Sequence, residues 1–194
     1  ADGLTDASLF DLLGVASPWH ACYDAPPAVL PQSHSPGELA IASGVLSGAL
    51  ARAGVRVAGL ACDVTPEPRF NAIIRDAGNK AETVVGALGR HLRRAWAEWM
   101  EPAVPGRRLG IACDRLGGRT QYAALLEEAL PGVRAQVVDE TPLRSRYTLE
   151  HPSGAKAGIT FAVEGESAHL PVALASMTAK LTRELLMRRF NAYW

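Results

Sequence analysis

No stretch of this chain is apolar for the roughly 18 residues that a membrane-spanning helix needs. Its opening, ADGLTDASLF, has neither the basic nor the apolar region of a secretory signal. A soluble, cytoplasmic protein with no membrane partner is therefore the expectation. Cysteine is scarce: Cys22, Cys62 and Cys113 are too scattered for a disulfide framework, and none forms a C-x-x-C pair for zinc. Reduced thiols are expected. A charge imbalance is also missing, since 20 basic residues cancel 20 acidic ones, so an anionic partner has to be held by a local patch and not by the overall field. Lysine is nearly absent, with only Lys80, Lys156 and Lys180 beside 17 arginines. Planar guanidinium forks suit phosphate, but genome base composition produces the same bias. What the chain does have is length and apolar content: 194 residues, 48% hydrophobic and 21% charged, enough to bury a globular core and to exclude collagen, long disorder and a coiled coil.

Residues 1–34 carry Pro18, Pro26, Pro27 and Pro31 with Trp19 and Tyr23 among them, and read as an irregular lead segment packing aromatics onto a domain. Ser35-Pro36-Gly37-Glu38 is a helix start, because serine can cap the third helical amide while glutamate reaches back. That helix runs to about Ala53 and ends at Gly54. The β-branched stretch Val55 to Cys62 predicts a strand. Apolar residues recur at helical spacing from about Phe70 to Trp99, with Gly78 a break or kink. Leu109 to Cys113 predicts a buried strand with Asp114 at its carboxyl end, followed by a helix from Thr120 to Leu130. Three more strands are expected at Val133 to Val138, Tyr147 to His151 and Gly158 to Val163. A closing helix spans about Val172 to Phe190, with Met177, Leu181 and Leu185 inward and Ser176, Lys180, Arg183 and Glu184 on a polar stripe. This alternation gives an α/β fold with a mixed sheet.

Two stretches bear chemistry. Cys113-Asp114-Arg115-Leu116-Gly117-Gly118-Arg119-Thr120 is a strand end running into a glycine-rich turn, and ligands of α/β sheets gather outside such strand ends. Asp114 suits a metal ligand there, and Arg115 and Arg119 suit a phosphate grip; a solvated turn with capping residues reads equally well. The second stretch, Gly165 to Phe190, puts Glu166 in a polar turn ahead of the closing helix, where a carboxylate is ordinarily solvated. His169 reads as a turn residue. Catalysis by Cys113 has little support, since it sits within a strand and no histidine can be placed beside it.

Together these stretches resemble the type 2 ribonuclease H family, ribonuclease HII and its relatives. In that family one catalytic aspartate ends a central strand, and another lies in a Gly-Asp-Ser-like turn ahead of a helix reading Ala-Ser-Ile-Ile-Ala-Lys-Val-x-Arg-Asp. This chain has Gly165-Glu166-Ser167 and then Ala-Ser-Met-Thr-Ala-Lys-Leu-Thr-Arg-Glu from Ala175 to Glu184. Arg69-Phe70-Asn71-Ala72-Ile73-Ile74 is similar to the opening of the family's middle helix. The coverage is roughly 68–114 and 159–190. The resemblance implies a ribonuclease H-like mixed sheet flanked by helices over residues 35–194, with an inserted helix and strands at about 119–157.

By that resemblance Asp114 and Glu166 are catalytic metal ligands for Mg2+ or Mn2+, and Arg115, Arg119, Lys180 and Arg183 bind substrate. The implied activity is metal-dependent endonucleolytic cutting of the RNA strand of RNA/DNA hybrids. The family's Asp-Glu strand and its Gly-Tyr-Pro segment are not present in the sequence. A partial domain, incomplete at its N-terminal sheet edge and weak or inactive alone, is therefore expected. Two other functions remain open: a non-catalytic module binding nucleic acid or a protein partner through Arg115, Arg119, Lys180, Arg183, Arg188 and Arg189, and a phosphate- or nucleotide-binding protein using the Gly117-Gly118 turn.

Overall fold

The structure, a computed structural model, describes residues 3–15, 21–100 and 108–194. Pro18, Trp19, His20, Pro102 and Pro105 lie outside the described residues. The chain divides into two compact units, one of residues 1–66 with 178–194 and one of residues 67–177.

The first unit is helical. Helix α1 (Asp6–Leu12) starts at Thr5, whose Oγ1 accepts the Ser8 amide at 3.1 Å while Ser8 Oγ accepts the Thr5 amide at 2.9 Å. The lead segment is thus not wholly irregular: this reciprocal cap starts a helix that a proline-based reading passes over. Helix α2 (Pro36–Arg52) begins at Ser35 with the expected box, Ser35 Oγ accepting the Glu38 amide and Glu38 accepting the Ser35 amide. It ends before Gly54 at φ +66°. No α2 residue is buried. Phe10, Leu13, Cys22 and Tyr23 form the unit's core with Leu185 and Leu186 of helix α7 (Leu170–Tyr193), whose residues from Thr178 onward belong to this unit.

Two expectations fail here. Residues 55–62 form no strand. Val55, Val57 and Leu60 are exposed, and β propensity alone holds no strand without a ladder partner. On α7, Leu185 is buried, but Met177 is 60% and Leu181 47% exposed. Apolar spacing marks a face; it does not supply a neighbour to cover it.

The second unit is a four-stranded mixed sheet flanked by helices. Helices α3 (Glu67–Ala77) and α4 (Ala81–Met100) replace the single long helix, and Gly78 at φ +74° makes the break that a side chain would strain. Strand β1 (Leu109–Asp114) leads through helix α5 (Ala123–Ala129) to β2 (Arg134–Glu140), β3 (Arg144–Glu150) and β4 (Lys156–Ala162), then helix α6 (Gly165–Ala168). The sheet order is β1-β4-β3-β2, with β1 parallel to β4 and the rest an antiparallel meander.

Alternation sets the buried face. Tyr147 and Leu149 of β3 and Ala157, Ile159 and Phe161 of β4 point into a core completed by Leu92, Trp96 and Met100 of α4 and Leu125, Leu126 and Ala129 of α5. The outer strand β2 carries a bulge between Val137 and Asp139 and a carboxylate, Asp139, paired with Arg144 and Arg146. These features blunt an edge. The opposite outer strand, β1, reads Leu-Gly-Ile-Ala-Cys before Asp114 and has no such guard. Among the described residues no helix is long and apolar enough to cross a membrane.

Candidate functional site

Asp114 ends β1 opposite Ala162, the last residue of β4. Because the two strands are parallel, both stop at one rim, and the chain leaving β4 turns at once into α6. The Gly165 amide donates to Asp114 Oδ1 at 3.2 Å, joining residues 51 apart in sequence. Gly165 itself is buried, and a Cβ built on it would stand 3.6 Å from the Asp114 Cα and 3.5 Å from the Cys113 carbonyl oxygen. The next residue is Glu166. Asp114 and Glu166 are both exposed, so strand end and turn present carboxylates on one rim.

The turn reaches this place through Glu164, a non-glycine residue in the left-handed region at φ 52°, ψ 42°. Strain of this kind persists only where surrounding structure enforces it. Glu164→Gly should stabilise the protein by roughly 0.5–1 kcal/mol, the left-handed penalty less the added chain entropy. A raised urea midpoint at constant m value is the measurement that checks it.

The segment after Asp114 is held by side chains from elsewhere in the sheet. The Arg115 amide donates to Ala162 O at 2.9 Å, one step past the ladder, and the Arg119 amide closes a tight turn on Leu116 O at 3.1 Å. Gly117 takes φ +56° in that turn, which glycine adopts without steric cost. The Arg115 guanidinium folds back over it, donating from Nε to Arg119 O at 3.1 Å, from Nη2 to Gly118 O at 3.0 Å and from Nη1 to Pro142 O. Tyr122 Oη accepts the Leu116 amide at 3.1 Å and donates to Arg119 O at 2.9 Å. Tyr147 Oη accepts the Tyr122 amide at 2.9 Å and donates to the Glu140 carboxylate. Burial first, and that carboxylate second, push the Tyr147 phenol up to about 12. Ser145 Oγ donates to Thr120 O at 2.6 Å.

The two arginines of the glycine-rich turn therefore differ. Arg115 spends its donors on carbonyl oxygens of the fold, whereas Arg119 is exposed. Residue spacing did not point to Tyr122, Tyr147, Ser145 or Glu140, whose partners lie across the sheet. The one local signal was tyrosine where a helix start favours serine, threonine or aspartate.

Lys180 and Arg183 are exposed on the α7 residues of the first unit, and Arg183 makes a loose 3.5 Å pair with Glu184. Arg188 is exposed as well. Arg189 is not available to a ligand, because its guanidinium is committed to the buried Asp6. Burial, and then the Asp114 charge beside it, push the Cys113 thiol up to about 12, so it stays protonated near neutral pH and supplies no thiolate nucleophile. His169 joins α6 to α7 through its backbone, its amide donating to Gly165 O at 2.9 Å.

Among the described residues no group of three or more His, Cys, Asp or Glu side chains is placed to hold a metal ion. No protein-family model, curated protein or solved structure matches the chain.

Proposed function

We propose that the rim formed by Asp114 and Glu166 is part of a ribonuclease H-type site, and that the protein acts on nucleic acid as a metal-dependent endonuclease cutting the RNA strand of RNA/DNA hybrids. The observation that carries this reading is the 3.2 Å bond from the Gly165 amide to Asp114. It brings together the strand-end aspartate and the Gly165-Glu166-Ser167 turn, the two places where the resemblance puts catalytic carboxylates. The strained Glu164 just before that turn supports it too.

The donor chemistry fits a hard divalent cation, Mg2+ or Mn2+, for which carboxylate oxygens are the ordinary ligands. Asp114 Oδ2 and the Glu166 carboxylate would hold it, with Oδ1 fixed by the Gly165 amide. When bound, such an ion activates water and neutralises charge on phosphoryl oxygens. Two carboxylates make a weak site, so further ligands are needed. The outer side of β1, unpaired among the described residues, is where a strand bearing them would add. Arg119, on the turn after Asp114, is the cation offered to the nucleic-acid backbone.

A labelled RNA/DNA hybrid with Mg2+ or Mn2+ tests this. The 194-residue chain should cleave slowly at most. With Mg2+ or Mn2+ present, Asp114→Asn should reduce that rate at least about 100-fold, beyond what loss of an indirect metal contact costs. Robust cleavage that Asp114→Asn leaves undiminished refutes the assignment. The small number of carboxylates favours one second reading, a non-catalytic module that binds nucleic acid or phosphate on the same rim. Metal-independent hybrid binding, with no cleavage at saturating Mg2+ or Mn2+, would select it.

A further inference from the structure

We infer that the turn Leu116–Arg119 is a preorganised contact for a nucleic-acid backbone phosphate, made by the Gly117 and Gly118 amides and the Arg119 guanidinium, with Tyr122 as its positioning residue and Arg115 as its clamp. This rests on the nucleic-acid part of the proposed function and is independent of cleavage.

The argument is an asymmetry of donors and acceptors. Of the carbonyl oxygens in this segment, those of Leu116, Gly118, Arg119 and Thr120 already accept protein hydrogen bonds, from the Arg119 amide, Arg115, Tyr122 and Ser145. On the donor side, the amides of Gly117 and Gly118 and the guanidinium of Arg119 have no acceptor among the described residues, and all three residues are exposed. With four carbonyl oxygens occupied and that of Gly117 alone open among the described residues, against two free amides and a free guanidinium, the turn favours an anion over a cation or a neutral donor. The clamp adds to this, since the Arg115 charge lies against the turn and strengthens its pull on a phosphate.

Rigidity makes the contact effective. Binding to a mobile loop is weakened by the entropy of ordering it, whereas a loop ordered by folding avoids that loss. Tyr122 supplies much of the order: its hydroxyl bridges the two ends of the turn, and its ring stacks on Phe161 at a centroid distance of 3.7 Å and 1° between planes. Tyr122→Phe keeps the stack and deletes the bridge. Its effect on phosphate binding should therefore pass through Arg119. Asp114, next to the turn, is the opposing charge.

The experiment measures binding of a short RNA/DNA hybrid across a salt series without divalent ions, using the full chain. Arg119→Ala should weaken affinity about tenfold and reduce the salt slope by about 1, the signature of one lost phosphate contact. Tyr122→Phe should weaken affinity about threefold, and that loss should vanish in the Arg119→Ala background, because coupled residues are not additive. Full additivity of the two losses, or an unchanged salt slope in Arg119→Ala, overturns the inference. A parallel titration with inorganic phosphate, followed by amide NMR shifts, separates it from the nuclease reading. Shifts at Gly117 and Gly118, with no Mn2+-induced broadening at Asp114 and Glu166 in a separate titration, leave the phosphate contact standing and count against the nuclease alone. Absence of both phosphate shifts and hybrid binding overturns the contact itself.

Discussion

Arg189→Ala should cost about 3–5 kcal/mol of stability, the penalty for stranding a buried charge whose partner has been removed. Asp6 is 1% exposed. Its carboxylate is gripped by two parallel bonds, Arg189 Nε to Oδ2 at 2.8 Å and Nη2 to Oδ1 at 2.9 Å, and by the Ala28 amide at 2.9 Å. The third guanidinium nitrogen, Nη1, donates to Tyr23 O at 3.1 Å, and the guanidinium lies 5.1 Å from the Phe10 ring centroid. One side chain near the end of α7 thereby ties α1 and the Tyr23 turn into a single core. Removing both charges together, in Asp6→Asn with Arg189→Met, should recover much of the loss, which urea titration of the two variants beside the unaltered chain would measure. If Arg189→Ala cost less than about 1 kcal/mol, the value of an exposed pair, the buried bridge would be wrong.

The same pair predicts an acid dependence. Burial raises the Asp6 pKa, but the hydrogen bond from Arg189, the Ala28 amide, the Arg189 charge and the Ala7 amide together outweigh it and hold the group below its ordinary value. A carboxyl depressed in the folded state contributes stability that is complete above its unfolded pKa of about 3.9 and disappears as pH falls through the folded value. In Arg189→Ala that acid-side loss should shrink or reverse.

Phe161→Ala has the second large expected effect, about 3–5 kcal/mol for a buried aromatic truncated to a methyl. Phe161 is 1% exposed, sits in β4 between Cys113 of β1 and Ser145 of β3, and carries the Tyr122 ring on its face. The substitution should therefore do more than lower the denaturation midpoint. Without its stacking surface Tyr122 loses its place, and the Leu116 amide, which donates to the Tyr122 hydroxyl, should exchange with solvent faster. The Ile159 amide, on the same strand, should change less. Equal acceleration at both amides would mean that Phe161 supports the sheet in general and the turn only incidentally.

Legibility from sequence followed the range of the forces involved. Helix α2 was readable because its cap lies within four residues, Ser35 to Glu38. The break between α3 and α4 was readable as a break or kink at Gly78, where the backbone takes φ +74° and the neighbouring Asn79 accepts the Glu82 amide. Strands β1 to β4 were readable as short runs bounded by turn residues, to within a few residues at their ends. Failures came where the deciding partner is remote. Residues 55–62 have the composition of a strand and no ladder to join among the described residues, and Met177 and Leu181 have the spacing of a core face without the burial.

The candidate site divides in the same way. Asp114 at a strand end is a local inference; its proximity to the Glu166 turn, 51 residues from Asp114 to Gly165, was accessible only through resemblance. Arg115 and Arg119 are indistinguishable as letters. The difference between them is set by Pro142, Gly118 and Tyr122, the first of which lies 27 residues from Arg115.

The most direct measurement is a titration of the chain with Mn2+, followed by paramagnetic broadening of assigned backbone amides. The account predicts that Asp114, Gly165 and Glu166 broaden first, and that Asp114→Asn and Glu166→Gln each weaken the effect. Broadening centred elsewhere, or unchanged by both substitutions, would contradict it.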